Sequence, residues 1–176
     1  IQQSSSRFFH HREHQWLYRL PVNTELTEEH LAEYKGNKKK HLIIDSGGMD
    51  NNSIRQGLIV SDMIISPVAI SQVEIFGLQD FNELLNSAGE VIDRNKTFVL
   101  LNNVNKQAKK EIQHIKELIS SEFDFVLLNT ILGTRKAYKD AYSFGKSVVE
   151  LAPQSSASEE IVNLTNEIRQ YIERVK

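Results

Sequence analysis

The sequence predicts an α/β fold: a mainly parallel, open sheet with helices on both faces. Short, continuously apolar segments alternate with amphipathic segments after Lys40, and strands that are apolar throughout are typical of parallel sheets covered on both sides. The 176 residues suit a single domain, 1–176. The polar stretch at 153–158, before a C-terminal helix, is too short to separate a second domain.

Apolar runs that end in polar or turn-forming residues predict the strands of this sheet. The predicted strands are Leu42–Asp45, Met63–Val68, Thr97–Leu101 and Phe123–Leu128. Right-handed crossovers place the carboxyl ends of parallel strands at one edge. We therefore expect Asp45, the loop after Val68, Asn102 and Asn129 to converge there, where open α/β sheets bind their ligands.

Apolar residues at spacings of three or four predict the helices. The predicted helices are Asn52–Ser61, Ser71–Ile92, Gln107–Ile119 and Ser158–Val175. Ser158, with Glu160 close behind it, is the expected N-terminal cap of the last helix.

Composition limits the classes of function. Lys+Arg 21 against Asp+Glu 23 gives a net charge of −2, so no overall basic field indicates a nucleic-acid partner. The chain has no cysteine, which excludes disulfides and thiolate metal sites and fits a reducing compartment. No apolar run approaches the roughly 18 residues of a membrane span, and the first residues do not resemble a signal peptide. We predict a cytoplasmic protein without a membrane span.

The segment His41–Asp50 carries the most chemical information. Three apolar residues lead into Asp45, and a nucleotide hydrolase uses an acid in this position to hold Mg²⁺, usually through water, beside the phosphates. Gly47 and Gly48 would let the following loop approach a γ-phosphate and move when it leaves. The alternative is that Asp45 caps the next helix or closes a turn.

Two further patterns favour structural interpretations. His10 and His14 are spaced i, i+4, but without cysteine or a placed carboxylate an exposed helix face is preferred to a metal site. Gly145-Lys146-Ser147 is not a phosphate-binding loop, because the glycine required five residues earlier is Asp140. Gly145 is instead expected to end a helix.

An ordered series of short motifs resembles the ParA/MinD family of deviant-Walker ATPases and covers nearly the whole chain. In that family a strand ends in an acid with a Thr-Pro-Pro turn, a helix ends in Ala-Ser-Asp, and the next strand ends in Pro-Val. The matching segments are, in order, Gln2-Gln3-Ser4-Ser5, Asp45-Ser46-Gly47-Gly48, Val60-Ser61-Asp62, Ile65-Ser66-Pro67-Val68, Phe76-Gly77-Leu78, Leu100-Leu101-Asn102-Asn103, Arg135-Lys136-Ala137-Tyr138, Ala141, Gly145-Lys146-Ser147-Val148 and Glu150-Leu151.

The resemblance implies a P-loop NTPase architecture of the SIMIBI-like type, with ATP and Mg²⁺ as cofactors. By this resemblance Asp45 holds Mg²⁺ through water, and Ser46, Gly47 and Gly48 belong to the loop that senses the γ-phosphate. Gln2 and Ser4 belong to the neighbouring switch. Asn102 contacts adenine. Asn129 is a candidate at the same end of the site, although a strand-end turn residue is preferred there.

The resemblance also implies a biological role. The ATP form is expected to be a homodimer that acts in plasmid or chromosome partition, with non-specific DNA and a partition or adaptor protein as partners. The candidate DNA-binding residues are Arg135, Lys136, Lys139 and Lys146, although a solvated helix face is an equal alternative. The last helix has an ordinary core stripe, which favours DNA over a membrane as the surface bound.

Departures from the family leave alternatives open. Glycines replace the prolines after Asp45, Asn103 replaces an arginine, and no Lys-Gly-Gly-x-Gly-Lys-[Ser/Thr] phosphate loop is present. We expect the chain to be a fragment without the first strand and phosphate loop, and whether it hydrolyses ATP stays open. One rival is a non-hydrolysing scaffold or conjugation accessory protein of the same fold. Another is a flavodoxin-like ligand binder or receiver domain with Asp45 as phosphoacceptor.

Overall fold

The computed structural model describes residues 4–14, 27–34, 41–46 and 52–174. The chain divides into two compact units, Ile1–Val60 and Ser61–Lys176. We describe each unit by itself, and the assignment of 1–176 to one domain stays a prediction.

The described part of the first unit contains three helices: α1 (Ser4–His14), α2 (Glu28–Tyr34) and α3 (Asn52–Val60). Helix α3 confirms the helix predicted at 52–61. The strand predicted at Leu42–Asp45 is wrong, because residues 41–46 adopt no regular secondary structure and the Ile43 side chain is 86% exposed. A strand needs a neighbouring strand for its backbone hydrogen bonds, and no described strand pairs with this segment.

The second unit alternates strands and helices. Its elements are β1 (Ile64–Val68), α4 (Gln72–Ser87), two 3₁₀ turns (Gly89–Val91 and Arg94–Lys96), β2 (Thr97–Val104), α5 (Lys109–Glu122), β3 (Val126–Gly133), α6 (Lys136–Ser143), α7 (Val148–Leu151) and α8 (Ser156–Arg174). None of the described helices is both long and apolar enough to cross a membrane.

The three described strands form a parallel sheet in the order β1-β2-β3. This confirms the predicted α/β class and the parallel direction of the strands. The last residue of β1, Val68, pairs with Leu101 of β2, whereas β2 continues to Val104, which pairs with Gly133 at the end of β3. Strands β2 and β3 therefore extend beyond β1 at the carboxyl edge.

Two polar pairs predicted to follow strands lie within bulges instead. In the ladder between β2 and β3, Val99 pairs with Leu127 but Leu101 pairs with Ile131, so the extra residues lie on β3. Val104 then pairs with Gly133, so the next extra residue lies on β2. Asn129-Thr130 falls in the first irregularity and Asn102-Asn103 in the second. Each strand resumes because apolar residues follow the polar pair and return to the core, as with Leu132 and Val104.

Helices cover both faces of the sheet, as predicted. On one face, Phe98, Leu100, Leu128 and Leu132 form a core cluster against which the α8 residues Ile161, Leu164 and Tyr171 pack. Successive strand residues point to opposite faces, and the alternate residues Val99 and Leu101 have no exposed surface. Helices α4 and α5 contact β1 and β3, and each contributes fully buried leucine or isoleucine side chains.

Helix ends follow local capping chemistry rather than the apolar pattern. Ser155, not Ser158, caps α8, because its Oγ accepts the Ser158 N–H at 3.2 Å. Helix α4 ends at Ser87, earlier than the predicted Ile92. Gly145 follows α6 with φ 61°, and the Lys146 N–H donates to the Ala141 carbonyl at 2.9 Å. This geometry confirms that Gly145 ends a helix.

Candidate functional site

The segments that follow β2 and β3 are hydrogen-bonded to each other at the carboxyl edge of the sheet. The Thr134 N–H donates to the Val104 carbonyl at 2.9 Å, and the Thr134 Oγ1–H donates to the Asn103 carbonyl at 2.9 Å. Asn103 has φ 55°, in the left-handed region that Asn tolerates better than most residues. The end of β2 is thus fixed in an unusual backbone conformation against the start of the next segment.

A buried carboxylate joins the same two segments a second time. Glu160 of α8 has a side chain that is 6% exposed. Its Oε1 accepts from Lys106 Nζ at 2.7 Å and from Arg135 Nε and Nη2 at 2.9 and 2.7 Å. Its Oε2 accepts from the Gly133 N–H and the Tyr138 hydroxyl, each at 3.0 Å. We call these five residues the Glu160 cluster.

The bonds of the Glu160 cluster determine its charge state. Burial by itself would raise the pKa of Glu160, but hydrogen bonds from Arg135, Lys106, Gly133 and Tyr138 outweigh burial and lower the pKa to about 2. Burial, and then the bond to Glu160, raise the pKa of Tyr138. Two cations and one carboxylate therefore leave a net charge of +1 in the cluster at neutral pH.

Gly133 lets the charged groups approach the end of β3. A Cβ atom at this position would lie 3.3 Å from Glu160 Oε1, 3.4 Å from Arg135 Nε and 3.5 Å from Lys106 Cε. Contacts of 3.3 to 3.4 Å are tighter than side chains usually make. A side chain at position 133 would therefore push the charged groups of the cluster apart by a few tenths of an ångström.

A second glutamate of α8 binds the bulge of β3. Glu167 Oε1 accepts from the Asn129 N–H at 2.6 Å and from Asn129 Nδ2 at 3.0 Å, and Oε2 accepts from the Thr130 N–H at 2.9 Å. Burial opposes ionisation, but the bonds from Thr130 and Asn129 outweigh it and lower the pKa of Glu167. The carboxylate satisfies backbone donors that have no register partner on β2.

The structure separates the two asparagines that were predicted to share the base-binding end of the site. Asn102 is half-buried and lies one residue beyond Leu101, the level at which β1 ends. Asn129 does not follow the end of a strand, because β3 continues to Gly133, and its amide donates to Glu167. Both asparagines therefore lie in bulges rather than after a strand: Asn102 is two residues before the end of β2, and Asn129 is four residues before the end of β3. The role of Asn102 at the carboxyl edge stays a prediction.

The residues assigned to Mg²⁺ and the γ-phosphate belong to the first unit. Asp45 and Ser46 are exposed, and the Ser5 hydroxyl donates to Asp45 Oδ2. Their position at the carboxyl edge stays a prediction. Gln2, Gly47 and Gly48 lie outside the described residues, and Ser4 begins α1 with a side chain outside the described set.

The candidate DNA-binding residues have different environments. Arg135 forms part of the Glu160 cluster. The Lys136 side chain is 88% exposed, and its Nζ lies 3.4 Å from Oδ2 of Asp140, one helical turn away. Lys139 is exposed, and Lys146 is half-buried. Lys136 and Lys139 therefore present most of the accessible positive charge of this group.

Sequence reasoning missed Glu160, Lys106, Thr134 and Glu167. A signal existed for the two glutamates: they lie four residues before and three after Leu164, which packs on the sheet. Acids spaced in this way share the buried face of a helix and must find partners there. Lys106 and Thr134 carried no such signal, because their roles depend on how two loops meet.

The described side chains near the end of β2 offer hydrogen-bonding groups and positive charge. Asn102 offers an amide donor and acceptor, and Lys106 and Arg135 each have more N–H donors than their bonds to Glu160 use. Within the described ranges, no group of three or more His, Asp or Glu side chains is placed to hold a metal ion. No family model matches the chain, and no curated protein matches it.

Proposed function

We propose that this chain is the nucleotide-binding part of an ATPase similar to the ParA/MinD partition proteins, and that ATP binds at the carboxyl edge of the β1-β2-β3 sheet. The observation that carries the proposal is the position of Asn102 on β2, one residue beyond the level at which β1 ends. In open α/β sheets this is the edge where nucleotides bind. The motif series places Asn102 in the position of the family's adenine contact.

The chemistry of the edge fits a nucleotide. A carboxamide can donate to and accept from the edge of adenine, and the net positive charge of the Glu160 cluster favours an anionic ligand. By the motif series Asp45 of the first unit is the proposed Mg²⁺ residue, and its side chain is exposed within that unit. The 176 residues contain no complete phosphate loop, so the proposal concerns the complete protein.

The proposed biological role is an ATP-dependent homodimer switch in plasmid or chromosome partition. Non-specific DNA and a partition or adaptor protein are the proposed partners. Lys136 and Lys139 are the most accessible of the candidate phosphate contacts. A non-hydrolysing scaffold of the same fold is the second candidate, favoured by the missing phosphate-loop motif, and an ATP turnover assay on the complete protein distinguishes the two.

Titration of the complete protein with Mg²⁺-ATP and Mg²⁺-GTP tests the nucleotide site. We expect Asn102→Ala to weaken ATP binding about 10-fold, the loss of roughly one hydrogen-bonded pair, and to reduce the preference for ATP over GTP. We expect Asp45→Ala to remove the Mg²⁺ dependence of binding.

Asn129→Ala is the matched control, because the Asn129 amide lies in the bulge of β3 and donates to Glu167 of α8. It should leave both nucleotide affinities within twofold of the parent protein. Wild-type affinity in Asn102→Ala, or an equal loss in Asn129→Ala, would contradict the assignment of Asn102.

A further inference from the structure

We infer that Glu160 and Thr134 are positioning residues for the nucleotide site: they hold the segment from Asn102 to Lys106 in its binding conformation without contacting the nucleotide. The inference rests on the proposed function and goes beyond it, since neither residue belongs to the motif series. The inference also explains why α8 carries the buried carboxylate of Glu160, which is not needed to pack the helix against the sheet.

The segment from Asn102 to Lys106 has few internal constraints. A register shift separates Leu101 from Val104 in the ladder with β3, and Asn103 has φ 55°. This part of β2 also extends beyond β1, whose ladder pairs continuously with residues 97–101. Contacts from outside the strand must determine its conformation.

Contacts that constrain the Asn102 segment come from the segment after β3. Thr134 binds the Asn103 carbonyl through Oγ1 and the Val104 carbonyl through its N–H, both at 2.9 Å. Thr134 itself is exposed, so its hydroxyl is not needed to fill the core. Its evident contribution is to fix the two carbonyls that follow Asn102.

Glu160 fixes both segments to α8. It binds Lys106, four residues after Asn102, and it binds Gly133 and Arg135 on either side of Thr134. A carboxylate with a buried side chain and several charge-assisted bonds is a rigid attachment point. Removing its charge would free Lys106 and Arg135 to turn toward solvent, and the two segments could then separate.

The experiment measures ATP affinity in the complete protein for Glu160→Gln, Thr134→Val and Thr134→Ser. We expect Glu160→Gln to weaken ATP binding at least 10-fold and Thr134→Val about threefold to tenfold, with Thr134→Ser restoring wild-type affinity because it keeps the hydroxyl. Amide hydrogen exchange of Thr134 should accelerate in Glu160→Gln, since its partner carbonyl on Val104 becomes more mobile.

Glu167→Gln is the matched control: the same residue type on the same helix, bound to the same strand but away from the edge. It should leave ATP affinity within twofold of the parent. A purely structural role for Glu160 would instead lower the stability of Glu160→Gln while leaving the ATP affinity of the folded variant within twofold of the parent.

The outcomes separate the inference from the proposed function. If the wild-type protein binds no nucleotide, the proposed function fails and this inference fails with it. The Thr134→Val variant should fold, because it loses only an exposed hydroxyl. If it binds ATP as tightly as a wild-type protein that does bind ATP, the inference alone is overturned. The same holds if folded Glu160→Gln binds ATP as tightly as Glu167→Gln does.

Discussion

Glu160 and Glu167 lie on the same helix and bind the same strand, yet they join different parts of the chain. They are seven residues apart on α8, about 10.5 Å along a helix axis. Their backbone partners, Gly133 and Asn129-Thr130, are three to four residues apart on β3, roughly 10–13 Å along a strand. Helix and strand therefore match in spacing when they run in opposite directions.

The difference between the two glutamates lies in what else each one binds. The contacts of Glu167 stay within the bulge of β3. Glu160 also binds two cations, one from the segment after β2 and one from the segment after β3. An α8 carboxylate that faces the bulge of β3 thus satisfies donors of one strand, whereas an α8 carboxylate that faces the end of β3 joins two loops. The second arrangement is the one that can determine the shape of a ligand site.

The largest expected effect is on stability. Glu160→Ala removes the carboxylate that joins Lys106, Arg135 and Gly133, and it should lower the free energy of unfolding by about 3 kcal/mol, the size that the lowered pKa of Glu160 indicates. Glu167→Ala leaves uncharged backbone donors unsatisfied and should cost about 1–3 kcal/mol. Urea denaturation followed by circular dichroism measures both. Equal losses would remove the distinction between the two glutamates.

The next effect is on the pH dependence of stability. Folding lowers the pKa of Glu160 from 4.5 to about 2, so its contribution is fully present above about pH 5 and is lost as the pH falls toward 2. The shift corresponds to about 3 kcal/mol. The free energy of unfolding should therefore fall less steeply between pH 5 and pH 2 in Glu160→Gln than in wild type. Parallel curves for the two proteins would show that Glu160 is not the titrating group.

The smallest effect compares two glycines. Gly133→Ala places a Cβ 3.3 Å from Glu160 Oε1 and should destabilise the protein by about 1–3 kcal/mol through overpacking. Gly77→Ala, in α4, meets no atom within 4 Å and should be neutral or stabilise by about 0.5–1 kcal/mol, because alanine favours helix. Thermal unfolding monitors both variants. If Gly133→Ala leaves the stability unchanged, the side chains of the Glu160 cluster can move away from position 133 without cost.

The sequence predicted the parallel sheet because β1, β2 and β3 are apolar and alternate with amphipathic helices. The spacing of apolar residues along a segment directly indicates which of its side chains are buried. It failed at Leu42–Asp45 because an apolar run does not reveal whether a partner strand is present. It also failed at Asn129, which a bulge keeps inside β3. Bulges and loop contacts depend on residues far apart in the chain, so a local pattern does not encode them.

The candidate site was predictable only in part, for the same reason. Asn102 was identified because it follows a buried run of β2, and the structure places it in a bulge one residue beyond the level at which β1 ends. Thr134 and Lys106 were missed because each acts through a residue on another segment. Glu160 was noted only beside a helix cap, although its position relative to Leu164 indicated a buried face.

The most direct test of the account is an NMR titration of the complete protein with Mg²⁺-ATP, following the backbone amides of the second unit. The account predicts that the amides of Asn102, Asn103, Lys106, Thr134 and Arg135 shift on binding, while those of Asn129 and Thr130 do not. Saturable binding without shifts at the carboxyl edge, or with its largest shifts at Asn129 and Thr130, would contradict it.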